Sequence, residues 1–197
     1  MAVAPGQSRP ERTAPVPEPV LRLARHRLNA GQNLEMSALA AELGVNRVTL
    51  YRWVGSRERL LVETLWSLGE RALAWAREQV PGDHPERAVK VVVAFLDRTL
   101  AHPGMQHLLA TDIELAMRLL THSAAGFQPR LVQAVEDLLR EETAAGRLDV
   151  PMHPHELAFI VVRVIESYTY LDVLLGERAE AARAEPALHL LLSPRCR

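Results

Sequence analysis

The chain is 197 residues long, 48% hydrophobic with only 5% aromatics, and carries a formal net charge of −1. That is enough apolar material for one larger domain or a small domain beside a medium one, and the abundance of Ala, Leu and Arg points to an all-helical protein. No apolar run approaches the roughly 18 residues that span a membrane, the N-terminus lacks the apolar core of a signal peptide, and a single cysteine, Cys196, excludes an internal disulfide. The expectation is a soluble protein of the reducing cytoplasm.

Met1 to about Pro19 is rich in Pro, Ala and Arg. Pro5, Pro10, Pro15, Pro17 and Pro19 preclude a continuous helix and predict an extended, mobile tail over residues 1–18. Either it is a solvated leader without a role, or Arg9 and Arg12 reach DNA as basic arms do. The first helix is predicted from Pro19 to Ala30, with Val20, Leu23, Ala24 and Leu28 as its buried stripe and Gly31 as its stop. Arg22, Arg25, His26 and Arg27 fall on the other face, where Arg22 or Arg25 is either solvated or set against phosphate.

The most informative stretch follows, from Met36 to Leu61: MSALAAELGVNRVTLYRWVGSRERLL. Leu39 and Leu43 lie four apart on a short helix, with Ala40 small enough to let a second helix pass closely. Gly44 supplies the left-handed residue that ends the first helix, and Val45 plugs the turn. Leu50 and Trp53 are placed to anchor the second helix, for which Asn46 is a suitable N-cap. Ser56 caps a third helix. The second helix is left with Asn46, Arg47, Val48, Thr49, Tyr51 and Arg52, a face without an acid that suits a DNA groove better than a core. An ordinary helical hairpin has the same apolar spacing, but a solvated face would usually mix in Glu or Asp. Residues 1–64 hold nine arginines against six acids, net +3, while the remainder holds 14 basic against 18 acidic residues, net −4. Basic charge therefore sits where the motif sits.

The run Leu39-Ala40 … Gly44-Val45-Asn46 … Thr49-Leu50-Tyr51 … Ser56-Arg57-Glu58-x-Leu60 resembles the DNA-binding domain of the TetR family of transcriptional regulators. The resemblance spans Val20 to Gly69; beyond it, only length and helical content agree. Asn46 stands where that family more often has serine, Trp53-Val54 replaces a His-Phe pair, and Glu35 occupies the place of a capping threonine. The phrase from Tyr51 to Arg59 is similar to the QsdR-like branch, linked to control of lactone breakdown. The resemblance implies an all-α fold of about nine to ten helices: a three-helix helix-turn-helix domain over residues 19–69, then a helical ligand-binding and dimerisation domain over residues 70–197. It also implies a homodimer through the helices at about 129–145 and 154–175.

A long helix from about Arg57 to Gln79, with Leu60, Leu61, Thr64, Leu65, Leu68 and Leu73 inward, is predicted to bridge the two parts. Pro81-Gly82-Asp83 is the clearest boundary in the chain. Helices are then expected over about Pro85–Ala101, Met105–Leu109, Asp112–Thr121, Pro129–Ala145, Pro154–Leu175 and Glu177–Leu192. The segment from Leu157 to Leu175 is apolar on nearly every side, which requires burial all round. In a chain of this size that points to a second copy, the alternative being a monomer with a well-buried central helix. Arg163 and Glu166 within it read equally as an intrahelical ion pair at a subunit interface or as a polar cluster facing a ligand.

Candidate contacts divide by chemistry. Val48 and Thr49 suit base edges, with the valine methyls against a thymine methyl. Arg47 suits either guanine or phosphate. Tyr51, Arg52 and Arg57 suit the phosphate backbone, helped by N–H groups at helix starts such as that of Ser37. In the body, Phe95, Thr99, His102, Met105, Leu108, Met117, His122 and Phe127, with Glu166 and Tyr170, form a candidate pocket for a small, largely apolar effector. His102, His107, His122 and His153 lack the spacing of a metal site, and no cofactor is expected. No phosphate loop, GxSxG or activated cysteine points to an enzyme. The reading is a homodimeric repressor of double-stranded DNA whose effector tilts the bridging helix. An all-helical protein-interaction module and an enzyme using the helical body are the rivals.

Overall fold

The computed structural model describes residues 14–192, and among them every regular element is helical. Three short helices come first: α1 (Glu18–Asn29), α2 (Met36–Glu42) and α3 (Arg47–Val54). The long α4 (Arg57–Gln79) follows, about 35 Å at 1.5 Å per residue. The body comprises α5 (Arg87–Leu100), α6 (Pro103–Thr111), α7 (Ile113–Thr121), α8 (Phe127–Ala144), α9 (Pro154–Thr169), α10 (Leu171–Leu175) and α11 (Glu185–Leu192), with short 3-10 turns at Ser123–Ala125 and Ala181–Ala184. Arg9, Arg12 and Cys196 lie outside the described residues.

α1 and α3 pack on α4, and α2 packs on α1 and α3. Val20, Ala24, Leu28, Leu39, Leu50, Val54, Leu60 and Leu65 are all buried there. Arg25 departs from expectation, being neither solvated nor available to phosphate. It is buried, donating to Glu18 at 2.5 Å and to Ser67 Oγ at 3.0 Å, and so fastens α1 to α4. Arg27 pairs with Glu42 and ties α1 to α2.

In the body α8 and α9 pack extensively on each other, and α5 packs chiefly on α4 while also touching α8 and α9. Glu142 is a buried electrostatic fastening. It is 1% exposed and accepts from Arg87 at 2.9 Å and Arg147 at 2.6 Å, joining the start of α5, the end of α8 and the loop beyond. Burial alone would raise its pKa, but the Arg147 and Arg87 hydrogen bonds outweigh that and hold it below the ordinary 4.5.

Most helix boundaries fall within about two residues of the sequence expectation, and two depart further. The predicted helix from Pro154 to Leu175 breaks at Tyr170. Thr169 and Ser167 there return their hydroxyls to the carbonyls of Ile165 and Arg163, a bond that bends helices. The predicted helix Glu177–Leu192 becomes α11 with a 3-10 turn before it, because Pro186 offers no N–H to the turn behind it and fits only a first helical turn. No helix among the described residues is long and apolar enough to cross a membrane.

Removing the shared carboxylate leaves two arginines poorly paired in a nearly dry site. Glu142→Gln is expected to lower stability by about 3 kcal/mol in chemical denaturation. Since the folded pKa is depressed, the native chain keeps this contribution above pH 4.5 and loses it as pH falls through the folded value. The variant should lack that acid-side loss.

Candidate nucleic-acid interface and interior cavity

α2 and α3 form the helix-turn-helix. Gly44, at φ +67°, makes the turn, and the Asn46 side chain accepts from Thr49 N–H at 2.8 Å to cap α3. Leu50 and Val54, four apart and fully buried, seat α3 on the core. Trp53, the expected second anchor, is half-buried and packs against that core from its edge, and Val54 supplies the fully buried partner of Leu50. Arg59, which sequence reasoning missed, holds the far end of α3 by donating to the Val54 carbonyl at 3.0 Å.

The remaining face of α3 has no cover among the described residues. Val48 is 78% exposed and Tyr51 36% exposed, with Asn46, Arg47 and Arg52 exposed beside them and Thr49 half-buried. The Arg47 guanidinium sits 6.0 Å from the Tyr51 ring centroid, and neither Arg47 nor Arg52 has a carboxylate partner among the described residues. Ser37 is exposed in the first turn of α2, whose N-cap Glu35 makes no side-chain cap bond. Arg57 sits apart from this group. It is half-buried and its Nε donates to the Leu34 carbonyl at 3.0 Å, fastening α4 to the α1–α2 connection.

A cavity of about 200 Å³ opens between α4, α5, α6 and the start of α8. Phe95, Thr99, His102, Met105 and Phe127 line it, together with Leu65 and Leu68, expected only as inward residues of the bridging helix, and Asn29, Arg71 and Arg98, which the sequence did not single out. Leu108, Met117, His122, Glu166 and Tyr170 do not. Leu108 is buried in the core and Met117 packs against it. His122 is exposed at the end of α7, beside an open polar cleft crossed by the Arg118–Glu58 and Arg130–Glu63 ion pairs. Glu166 lies on α9, which packs on α8, α5 and α11, and Tyr170 caps the end of that helix. Glu166 there pairs with Arg163 at 2.9 Å, and the Arg163 guanidinium lies 5.1 Å from the Phe159 ring centroid. Burial, opposed by Arg163, pushes the Glu166 pKa up to about 7.

The cavity borders the joint between the two parts of the molecule. His102 Nδ1 accepts from Gly104 N–H at 3.1 Å, so in the neutral ring Nε2 carries the proton and donates to Asn29 Oδ1 at 2.9 Å. Burial and the nearby Arg98 both lower the pKa of His102 and keep it neutral. A Cβ on Gly104 would lie 2.5 Å from the Leu28 carbonyl oxygen, so the start of α6 touches the end of α1 backbone to backbone.

Residues 85–193, more than half of the chain, match the family model for the tetracyclin repressor-like C-terminal domain. The chain belongs to the TetR family. Its fold matches the transcriptional repressor QsdR of R. erythropolis with a TM-score of 0.80 and 28% identity, over 91% of this chain and 95% of that one. The repressor AlkX of Dietzia sp., implicated in biodegradation of n-alkanes, aligns at 22% identity and a TM-score of 0.62, over 89% of this chain and 95% of that one. The regulator FadR of Bacillus subtilis, solved with stearoyl-CoA, aligns at 13% identity and a TM-score of 0.56, over 90% and 98%. The last two show the fold alone. No curated protein matches the chain.

Gly104→Ala must push α6 off α1. The expected cost is about 1–3 kcal/mol, read as a lower Tm in thermal unfolding. An unchanged Tm would mean the two helices do not touch at this point.

Proposed function

We propose that this TetR-family member is a ligand-responsive repressor that binds a near-palindromic operator as a homodimer and is released by a small molecule in the cavity beside α4. The observation that carries it is the outer face of α3: an apolar side chain at Val48, two arginines and a tyrosine, all exposed, with no acidic partner for either arginine among the described residues. Val48 and Thr49 meet base edges, and Tyr51 and Arg52 hold phosphates. A helix start at Ser37 adds backbone donors. Arg57 contributes only what its bond to Leu34 leaves free.

Dimerisation supplies the second α3. On α9, Phe159 remains 42% exposed in a single chain although the helix is otherwise largely apolar, and the nearby Met152 is 42% exposed. A second copy laid against α8 and α9 covers them, and a twofold axis there sets two α3 helices on one side of a duplex. An effector in the cavity sits against α4, the helix that runs from α3 into the body, and changes the separation of the two reading helices. By linkage, DNA weakens the effector by the same factor. FadR of Bacillus subtilis, solved with stearoyl-CoA, gives precedent for a ligand held in this fold.

Selection from random duplexes with the purified chain tests the reading. Tyr51→Ala should weaken binding uniformly across sequences, whereas Thr49→Ala and Arg47→Ala should change the preferred sequence. Identical behaviour of all three would contradict this division of roles. In analytical ultracentrifugation the native chain should sediment as a dimer at micromolar concentration and Phe159→Glu should shift it toward monomer; a native monomer would rule the arrangement out.

A further inference from the structure

Resting on the reading that the cavity beside α4 holds the effector, we propose that this effector is an amphipathic carboxylate: an apolar body of about six to eight carbons with its acid group at the rim, against Arg71 and Arg98.

The charge inventory of the body carries the proposal. Nine of the eleven arginines between residues 70 and 192 are ion-paired, with Glu58, Glu63, Glu136, Glu141, Glu142, Glu166, Glu177 or Glu180. The two without a carboxylate partner among the described residues are Arg71 and Arg98, and both line this one cavity. No acid lines it. Glu18, which feels the charge of Arg71, is already committed to Arg25 at 2.5 Å. Two exposed cations sharing a rim without a counter-ion repel each other, and a bound anion removes that repulsion.

Geometry agrees with the charge. The Arg98 guanidinium lies 4.5 Å from the Trp75 ring centroid, a stacking that fixes its plane and leaves its edge N–H groups free to donate bidentately. His102 Nε2–H, now donating to Asn29, is a third donor at the same cavity. Below the rim the walls are Leu65, Leu68, Phe95 and Met105. An apolar cavity of about 150 Å³ accepts benzene, so about 200 Å³ suits a short acyl chain or one substituted ring. A carboxylate is a stronger acceptor than an amide oxygen, so it competes for the His102 proton and loosens the bond to Asn29 at the end of α1. Binding is thereby felt in the DNA-binding part.

Isothermal titration of the full chain, without DNA, tests this with sodium octanoate and sodium benzoate against octanol, methyl octanoate and octylamine. Octanoate is expected to bind at least tenfold more tightly than octanol or the ester, with octylamine weakest. Arg71→Gln and Arg98→Gln should each weaken octanoate about tenfold, the loss of one charge-assisted contact, and leave octanol unchanged. Neutral or cationic probes binding as tightly as octanoate would overturn the proposal. So would arginine variants that keep the octanoate affinity, or a chain that binds neither acid. Because no DNA is present, such a failure leaves the operator reading standing. Failure to select any duplex would sink that reading without touching the titration.

Discussion

The burial of Leu50 and Val54 is the constraint on which the DNA-binding end depends. They lie one helical turn apart on α3, and neither exposes any surface. Burying two such side chains is worth about 1.5–3 kcal/mol each, enough to fix the rotation of a helix only eight residues long. Once that rotation is fixed, Arg47, Val48, Tyr51 and Arg52 can only point outward. Asn46 at one end and Arg59 at the other satisfy the backbone groups that so short a helix leaves open. The same packing that stabilises α3 therefore also displays it.

α4 carries the consequence into the body. Its first half belongs to the packing of α1 and α3, and its middle supplies Leu65, Leu68, Gly69, Arg71 and Ala72 to the cavity wall. The end of α1 meets the start of α6 through the Leu28–Gly104 approach and the Asn29–His102 hydrogen bond. A molecule entering the cavity thus touches both connections between the two parts at once. In the proposed dimer, a shift there would change where α3 stands relative to the partner's α3, which would give the coupling a physical route.

The helix-turn-helix was legible in the sequence because its signals are local: apolar residues three and four apart, one glycine at the turn, and caps at Asn46 and Ser56, whose hydroxyl accepts from Arg59 N–H. The cavity was legible in part. Phe95 and Thr99 share a helix face, and His102 and Met105 follow closely, so proximity in sequence stood in for proximity in space. Arg71 and Arg98 escaped notice because what distinguishes them is the lack of a partner, and partners such as Glu142 for Arg87 lie 55 residues away. The histidines show a different limit. His84, His102 and His153 each precede a proline, and each turns Nδ1 to the N–H two residues on, at 3.1, 3.1 and 3.3 Å. His102 and His153 serve in this way as the N-caps of α6 and α9, and His84 closes the same turn ahead of α5, a signal present in the His-Pro pairs themselves. Arg25 misled for the opposite reason, since its partners Glu18 and Ser67 look like ordinary surface residues until the helices pack.

A salt titration of duplex binding, read by fluorescence anisotropy with the tightest-binding selected sequence, tests the central claim most directly. Two chains should saturate one duplex, and log K should fall linearly with log salt concentration by about 0.9 for each phosphate neutralised. No detectable binding at low ionic strength, or binding indifferent to salt, would contradict a DNA-reading α3.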